Sequence, residues 1–464
     1  LQKNAEEKLN MQKRSKRLAA PLAQRKKMLH LLLVLTVFYA GLFSPAFLCS
    51  DTVPDAGQIR PSLAAAQEAF RQGRFTEADS AFLEVLRSAP REPEALLGLG
   101  YLRLLQNRLD EAEKILCQVL KQNPARKDAN EYLAEAYCRR DRYDLAAPLL
   151  RAAGREPQAM RLEAFKGMEP YSFDAAPESS EVPFEITDPL PVVKLKVNGR
   201  EAEFLIDTGG ASLILDPEFA GEVGATIHAE VEGVFAGGVK RALGIGKIDR
   251  VEIGGYKLRH VSVGTLPMGP IAAMFARPLK GIVGTCFLYH FLFTLDYPGG
   301  KLVLYRRSEA NSEALAARNR DAQGHELPLW LAGDHFIATR GRVNDSPEVM
   351  CFLDTGMAGG GIGLSEAMAK AAGVELPTES QAGLGGGGMV RARPIMAREV
   401  RLGAVLEKNV PGNVGSGPLK SEFRDRLGFS MPAIVSHAFF RSYRTTFDLL
   451  NMRLLLARGS EGKE

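Results

Sequence analysis

Phe204-Leu205-Ile206-Asp207-Thr208-Gly209 and Phe352-Leu353-Asp354-Thr355-Gly356 share one pattern, a short apolar run that ends in Asp-Thr-Gly. At average composition a chain of this length contains that tripeptide by chance roughly one time in ten. One copy therefore means little, whereas two copies behind strand-like runs call for a repeat. The comparison extends outward. Gly281-Ile282-Val283-Gly284, Phe293-Thr294-Leu295-Asp296 and Lys301-Leu302-Val303-Leu304 align without gaps to Ala433-Ile434-Val435-Ser436, Thr445-Thr446-Phe447-Asp448 and Arg453-Leu454-Leu455-Leu456. Upstream, Val197-Asn198-Gly199 and Val343-Asn344-Asp345 are turn signals ahead of each Asp-bearing strand. This part of the chain is a duplicated β unit, with Lys194 and Lys196 alternating against apolar neighbours in Val192–Val197. Short helices are expected near Pro217–Val223 and Ser365–Ala372.

Two carboxylates a few ångströms apart cannot both ionise, so such a pair holds one proton and offers a base and an acid at once, as aspartic proteases illustrate. The residue set resembles the retropepsin-like and pepsin-like aspartic proteases over residues 183–306 and 325–458. The resemblance implies two all-β lobes that each supply one Asp-Thr-Gly loop to a shared cleft, with Asp207 and Asp354 as the catalytic pair. It further implies that Thr208 and Thr355 bond across the lobe interface, that Gly209 and Gly356 let the backbone turn behind the carboxylates, and that Gly284 buttresses the first loop. Flap candidates are Gly237 and Gly238 in the first copy and Gly385 and Gly386 in the second. No metal and no organic cofactor is required. The second copy departs from the pattern at Ser436, in place of the buttress glycine, and at Met357, in place of a small residue. Two functions stay open: an aspartic endopeptidase acting on peptide or protein substrates, or a non-catalytic peptide-binding protein whose second lobe Ser436 and Met357 have spoiled. A third arrangement would pair each lobe with its twin in another molecule.

Residues 59–158 carry a different repeat, of 34 residues. Ala66, Gly100 and Ala134 recur in a first helix, Ala78, Ala112 and Ala146 in a second, and Pro90 and Pro124 close the first two units. The pattern resembles three tetratricopeptide repeats, which stack into an all-α solenoid with a concave face that can hold a protein partner. A spacer or self-packing role is the alternative. The fold class expected is thus multidomain, an N-terminal all-α solenoid followed by two all-β acid-protease lobes. The stretches at 159–182 and 307–324 read as linkers, the second with room for a helical turn or two.

A chain of 464 residues with 45% hydrophobic and 25% charged residues reads as a multidomain globular protein. Its net charge of +4 is too small to imply nucleic acid, and much of the excess lies in Lys13, Arg14, Lys16, Arg17, Arg25, Lys26 and Lys27. The apolar run Leu29–Phe43 that follows marks residues 1–50 as a signal peptide or a membrane anchor, placing the remainder outside the cytoplasm, periplasmic or membrane-tethered. Cys49, Cys117, Cys138, Cys286 and Cys351 show no metal-ligand spacing, and Cys117 and Cys138 fall on helix faces where small core residues are expected. Gly383-x-Gly385-x-x-Gly388 matches a dinucleotide fingerprint by letter but lacks the flanking strand and helix. Ser436 and His437, taken as strand neighbours, point apart and form no dyad.

Overall fold

A computed structural model describes residues 56–235, 239–385, 388–415 and 421–459. The N-terminal leader, Cys49 and flap residues Gly237, Gly238 and Gly386 lie outside these. No helix among the described residues is long and apolar enough to cross a membrane.

Among the described residues seven helices come first, Ala56–Arg71, Phe75–Ser88, Pro93–Leu105, Leu109–Gln122, Lys127–Cys138, Tyr143–Ala152 and Glu156–Glu163. The repeat positions sit where helices touch. Ala66, Ala78, Ala112, Ala134 and Ala146 are fully buried, and a Cβ on Gly100 would lie 2.9 Å from Leu116. The turns inside the repeats place Gly73, Asn107 and Asp141 at φ 69°, 56° and 57°, a left-handed conformation that Gly, Asn and Asp tolerate best. These three residues also keep the 34-residue period, and all three face the β region. Gly73 lies against Met350, Asn107 donates to Leu449 O (2.9 Å) and Asp141 meets His290 (3.2 Å).

Two eight-stranded sheets follow, and they have the same internal wiring. In the first, Val192–Val197 and Arg200–Ile206 form a hairpin, and the Asp-bearing strand then runs parallel to Leu279–Val283. That strand pairs antiparallel with Leu213–Leu215, which runs parallel to Tyr256–Thr265. In the second, Phe336–Val343, Val349–Leu353, Ala433–Val435, Ile362–Leu364 and Val405–Val414 repeat each step. Each sheet curls into a barrel because its first hairpin also pairs with the long strand at Val239–Ile253 or Gly388–Leu402. The turn residues Asn198 and Asn344 repeat as well. Their amides donate to Val223 O and Ala372 O (both 2.8 Å), which ties each hairpin to the end of the short helix at Pro217–Glu222 or Glu366–Ala371.

A six-stranded sheet joins the barrels, with Phe291–Asp296 and Tyr443–Asp448 paired at its centre. Thr294 and Thr446 hydroxyls meet across the pseudo-twofold axis (2.6 Å), and Phe293 stacks on Phe447 with centroids 4.8 Å apart. Both expected linkers are structured. Ser172–Ala175 pairs with the first barrel and Ser179–Pro183 with Lys301–Arg306, so backbone pairing overrides the proline-rich composition. Glu309–Asp321 is a full helix, longer than the one or two turns expected, because Leu315 and Ala316 cover Leu292, Val303 and Leu455 on the sheet. Cys117 and Cys138 are half-buried at the edge of the core rather than inside it.

The solenoid is packed against the barrels. Phe70, Tyr101 and Tyr132, from the first helix of successive repeats, form a row with centroid spacings of 5.6 and 4.0 Å. Phe429 of the second barrel packs edge-on against Phe70 and Phe75 (5.9 and 5.0 Å), and Trp330 packs on Phe75 (5.5 Å). Part of the surface that an isolated solenoid would offer to a partner is therefore occupied within the chain.

Candidate active site

Each Asp-Thr-Gly loop starts where its strand leaves the sheet. The amides of Asp207 and Asp354 still bond Val283 O and Val435 O (both 3.1 Å), so the parallel neighbour fixes the point of departure. The loops then lock together. Thr208 N donates to Thr355 Oγ1 and Thr355 N to Thr208 Oγ1 (both 3.0 Å), while Thr208 Oγ1 donates to Leu353 O (2.8 Å). Both threonines are fully buried, and a hydroxyl that donates and accepts is the smallest side chain able to complete this exchange.

The lock brings Asp207 and Asp354 within hydrogen-bonding reach of each other. Each carboxylate accepts from the glycine amide two residues on, Gly209 N (2.8 Å) and Gly356 N (2.9 Å). Each also lies against the opposite glycine. A Cβ on Gly209 would sit 2.4 Å from the Asp354 carboxyl carbon, and one on Gly356 2.3 Å from that of Asp207. Only glycine leaves room for the second carboxylate.

Burial raises the Asp207 pKa, with the Gly209 amide pulling against it. Burial, together with the neighbouring Asp207 charge, holds Asp354 well above the ordinary carboxylate range. The pair therefore keeps one shared proton at pH values where free carboxylates have lost theirs. A carboxyl whose pKa is higher folded than unfolded stabilises the fold below its unfolded pKa, and that contribution disappears as pH rises through the folded value. Asp354→Asn should accordingly unfold at the same temperature as wild type near pH 3 and at a higher one at pH 7. Each unit of raised pKa is worth about 1.4 kcal/mol. A melting temperature at pH 7 equal to or below wild type would contradict the shared proton.

The departures in the second loop form one local solution. Counted from the Asp to the residue before the next strand, the first loop takes six residues, Asp207 to Ser212, and the second takes eight, Asp354 to Gly361. In the tighter loop a Cβ at Gly284 would come within 2.4 Å of Ser212 O. The longer loop has room for Ser436, which is fully buried. Its hydroxyl accepts from Met357 N (3.2 Å) and donates to Asp354 O, binding the extra residues to the buttress. Ser436 is also the N-cap of the short helix His437–Phe440 rather than a strand residue. His437 turns away to Asp188 (3.2 Å), so Ser436 and His437 are indeed no dyad, but for a different reason.

Each barrel also carries a long hairpin. Thr226–Phe235 pairs with Val239–Ile253, and Gln381–Gly385 with Gly388–Leu402. This places Gly385 at the last rung before the second tip, next to Gly388. The hairpins meet, since Arg241 Nη2 lies 3.1 Å from the position of a Cβ on Gly388. Asp334 and His335, just ahead of the strand Phe336–Val343, carry no signal in the sequence. His335 lowers the Asp207 pKa against the effect of burial, and its Nδ1 bonds Asp334 (2.6 Å).

Residues 63–120 and 116–159 match the tetratricopeptide repeat family, and residues 193–286 match the aspartyl protease family. No curated protein matches the chain. Among solved structures it is similar to a mutant O-GlcNAc transferase from Thermobaculum terrenum, with 25% identity over 24% of this chain and a TM-score of 0.21. The chain spans only 21% of that protein's length. The chain thus carries tetratricopeptide repeats followed by an aspartyl-protease domain of the retropepsin-like type.

Proposed function

We propose that the chain is an aspartic endopeptidase whose two barrels act as the two lobes of one active site, with Asp207 and Asp354 as the catalytic pair. The observation that carries this reading is the crossed packing of each carboxylate against the other loop's glycine, which leaves the two acids sharing one proton. The ionised member takes a proton from a bound water while the protonated member donates to the substrate carbonyl oxygen. Water oxygen bonds to the carbonyl carbon, the C–N bond then breaks, and the amine leaves with a proton from the pair.

The non-catalytic alternative drew on Ser436 and Met357, and both residues support the second loop through hydrogen bonds. Pairing within the chain is favoured over pairing between copies, because the central sheet already joins the barrels through Phe291–Asp296 and Tyr443–Asp448 and holds them at high effective concentration. The repeats support a role in protein or peptide interaction alongside hydrolysis. The test is cleavage of unstructured peptides with apolar residues at the cut, in the presence and absence of a statine-type mimic of the tetrahedral intermediate. Such mimics bind carboxylate pairs far more tightly than substrate, so inhibition near stoichiometric concentration is expected. Peptide binding with no cleavage from pH 3 to 8 would give the site to the non-catalytic reading.

A further inference from the structure

Beside each acid the two barrels fill the same space with different residues. The strand registers match them. Leu213 pairs with Val263, which pairs with Gly246, and Ile362 pairs with Gly412, which pairs with Ile395. Ile214 of the first barrel thus corresponds to Gly363 of the second, Gly264 to Asn413 and Leu243 to Ala392, each pair on the same face of its sheet. Gly210 and Met357 correspond as well, each three residues after its acid. In the first barrel the strand and the hairpin fill the space. A Cβ on Gly264 would lie 2.7 Å from Ile214 Cδ1 and 3.7 Å from Leu243 Cδ1. Ile214 and Ile282 belong to one apolar cluster, against which Leu243, Phe235 and Ala358 of the second loop pack. That cluster reaches the acid, since a Cβ on Gly210 would lie 3.5 Å from Ile282 Cγ2 and 3.6 Å from Asp207 Oδ2.

The second barrel carries the reverse set. Isoleucine and leucine give way to Gly363 and Ala392, and Phe235, at the last rung of its hairpin, gives way to Gly385. Met357 and Asn413 return part of the volume, and Met357 does so from the loop. The residue before it, Gly356, packs against the Asp207 carboxyl. Its own Sδ lies 3.3 Å from the position of a Cβ on Gly363 and accepts from Asn413 Nδ2 (3.4 Å). The thioether therefore rests where the Ile214 side chain begins in the other barrel. Met357 is half-buried and unbranched, with three rotatable bonds, so it makes an adjustable floor where isoleucine makes a fixed plug.

We propose that substrate selection is one-sided. The second barrel receives a large apolar side chain between Ala392, Gly363 and Met357, whereas the first, closed by Ile214, Leu243 and Phe235, receives a small one. Cut sites then pair a bulky apolar residue on one side of the scissile bond with a small residue on the other. This inference rests on the proteolytic reading above for the cut, and on the matched positions alone for the pocket.

The test uses full-length protein and a mixture of unstructured peptides, with the products mapped by mass spectrometry. Phe, Leu and Met should be enriched about 10-fold or more over Gly, Ala and Ser on one side of the cut, in line with the discrimination that methylene groups provide in an apolar pocket. Equal enrichment on both sides would overturn the proposal. Ala392→Leu, which gives the second barrel the first barrel's residue, should lower that large-to-small ratio about 10-fold. Leu243→Ala should raise the ratio on the opposite side by a similar factor. Both positions are half-buried on hairpin strands and the two changes act in opposite senses, so failure of one variant to fold leaves the other to decide. A bias that a folded Ala392→Leu variant leaves intact would place the pocket elsewhere and also overturn the proposal. If wild type cleaves nothing, the protease reading fails, and calorimetric titration with serine-rich peptides bearing one phenylalanine decides the pocket. Ala392→Leu should then weaken binding about 10-fold, and unchanged binding, or no binding by wild type, would overturn it.

Discussion

Replacing either acid, Asp207→Asn or Asp354→Asn, should lower kcat for peptide hydrolysis by at least about 10³-fold, at the upper part of the range for a positioned acid or base. The two losses should be similar and should not add in the double variant, because the residues act as one proton-sharing unit. The fold should survive. Asparagine keeps the oxygen that accepts from Gly209 N or Gly356 N, and the threonine exchange that holds the loops together does not involve the carboxylates. Initial rates from purified variants, with far-ultraviolet circular dichroism as the control for folding, check this. Undiminished activity in either variant would remove that residue from the mechanism and, with it, the single-cleft reading.

Phe429→Ala should cost about 3–5 kcal/mol of unfolding free energy. Phe429 is fully buried and packs edge-on against Phe70 and Phe75, so its removal opens a cavity at the seam, lined by rings of the solenoid. The lost contacts are those that join the modules. Amide exchange should therefore rise first in the helices Ala56–Arg71 and Phe75–Ser88, ahead of the barrel strands. A denaturant midpoint that barely moves would show that the solenoid stands on its own and that its seam with the barrel adds little.

Local sequence determined a great deal here. The 34-residue period locates the helix contacts because alanine and glycine are needed wherever two helix axes come close, and Ala66, Ala112 and Ala146 are found at such points. The alternation in Val192–Val197 and the Asn turns fix the strands and hairpins because strand periodicity and left-handed turns are properties of neighbouring residues. Duplication of Asp-Thr-Gly announced the two loops because glycine is demanded at a fixed offset from each acid. Only the tertiary structure decided the remainder. That Ser436 supports the second loop depends on two added residues nearly eighty positions earlier, so the substitution reads as damage until the loop is seen around it. The polar stretches at Ser172–Pro183 and Glu309–Asp321 look like linkers because their partners lie far along the chain, on strands and a sheet face that composition does not reveal. The same holds for the solenoid's docked face, whose ring partners belong to another module and leave no mark on the residues beside it.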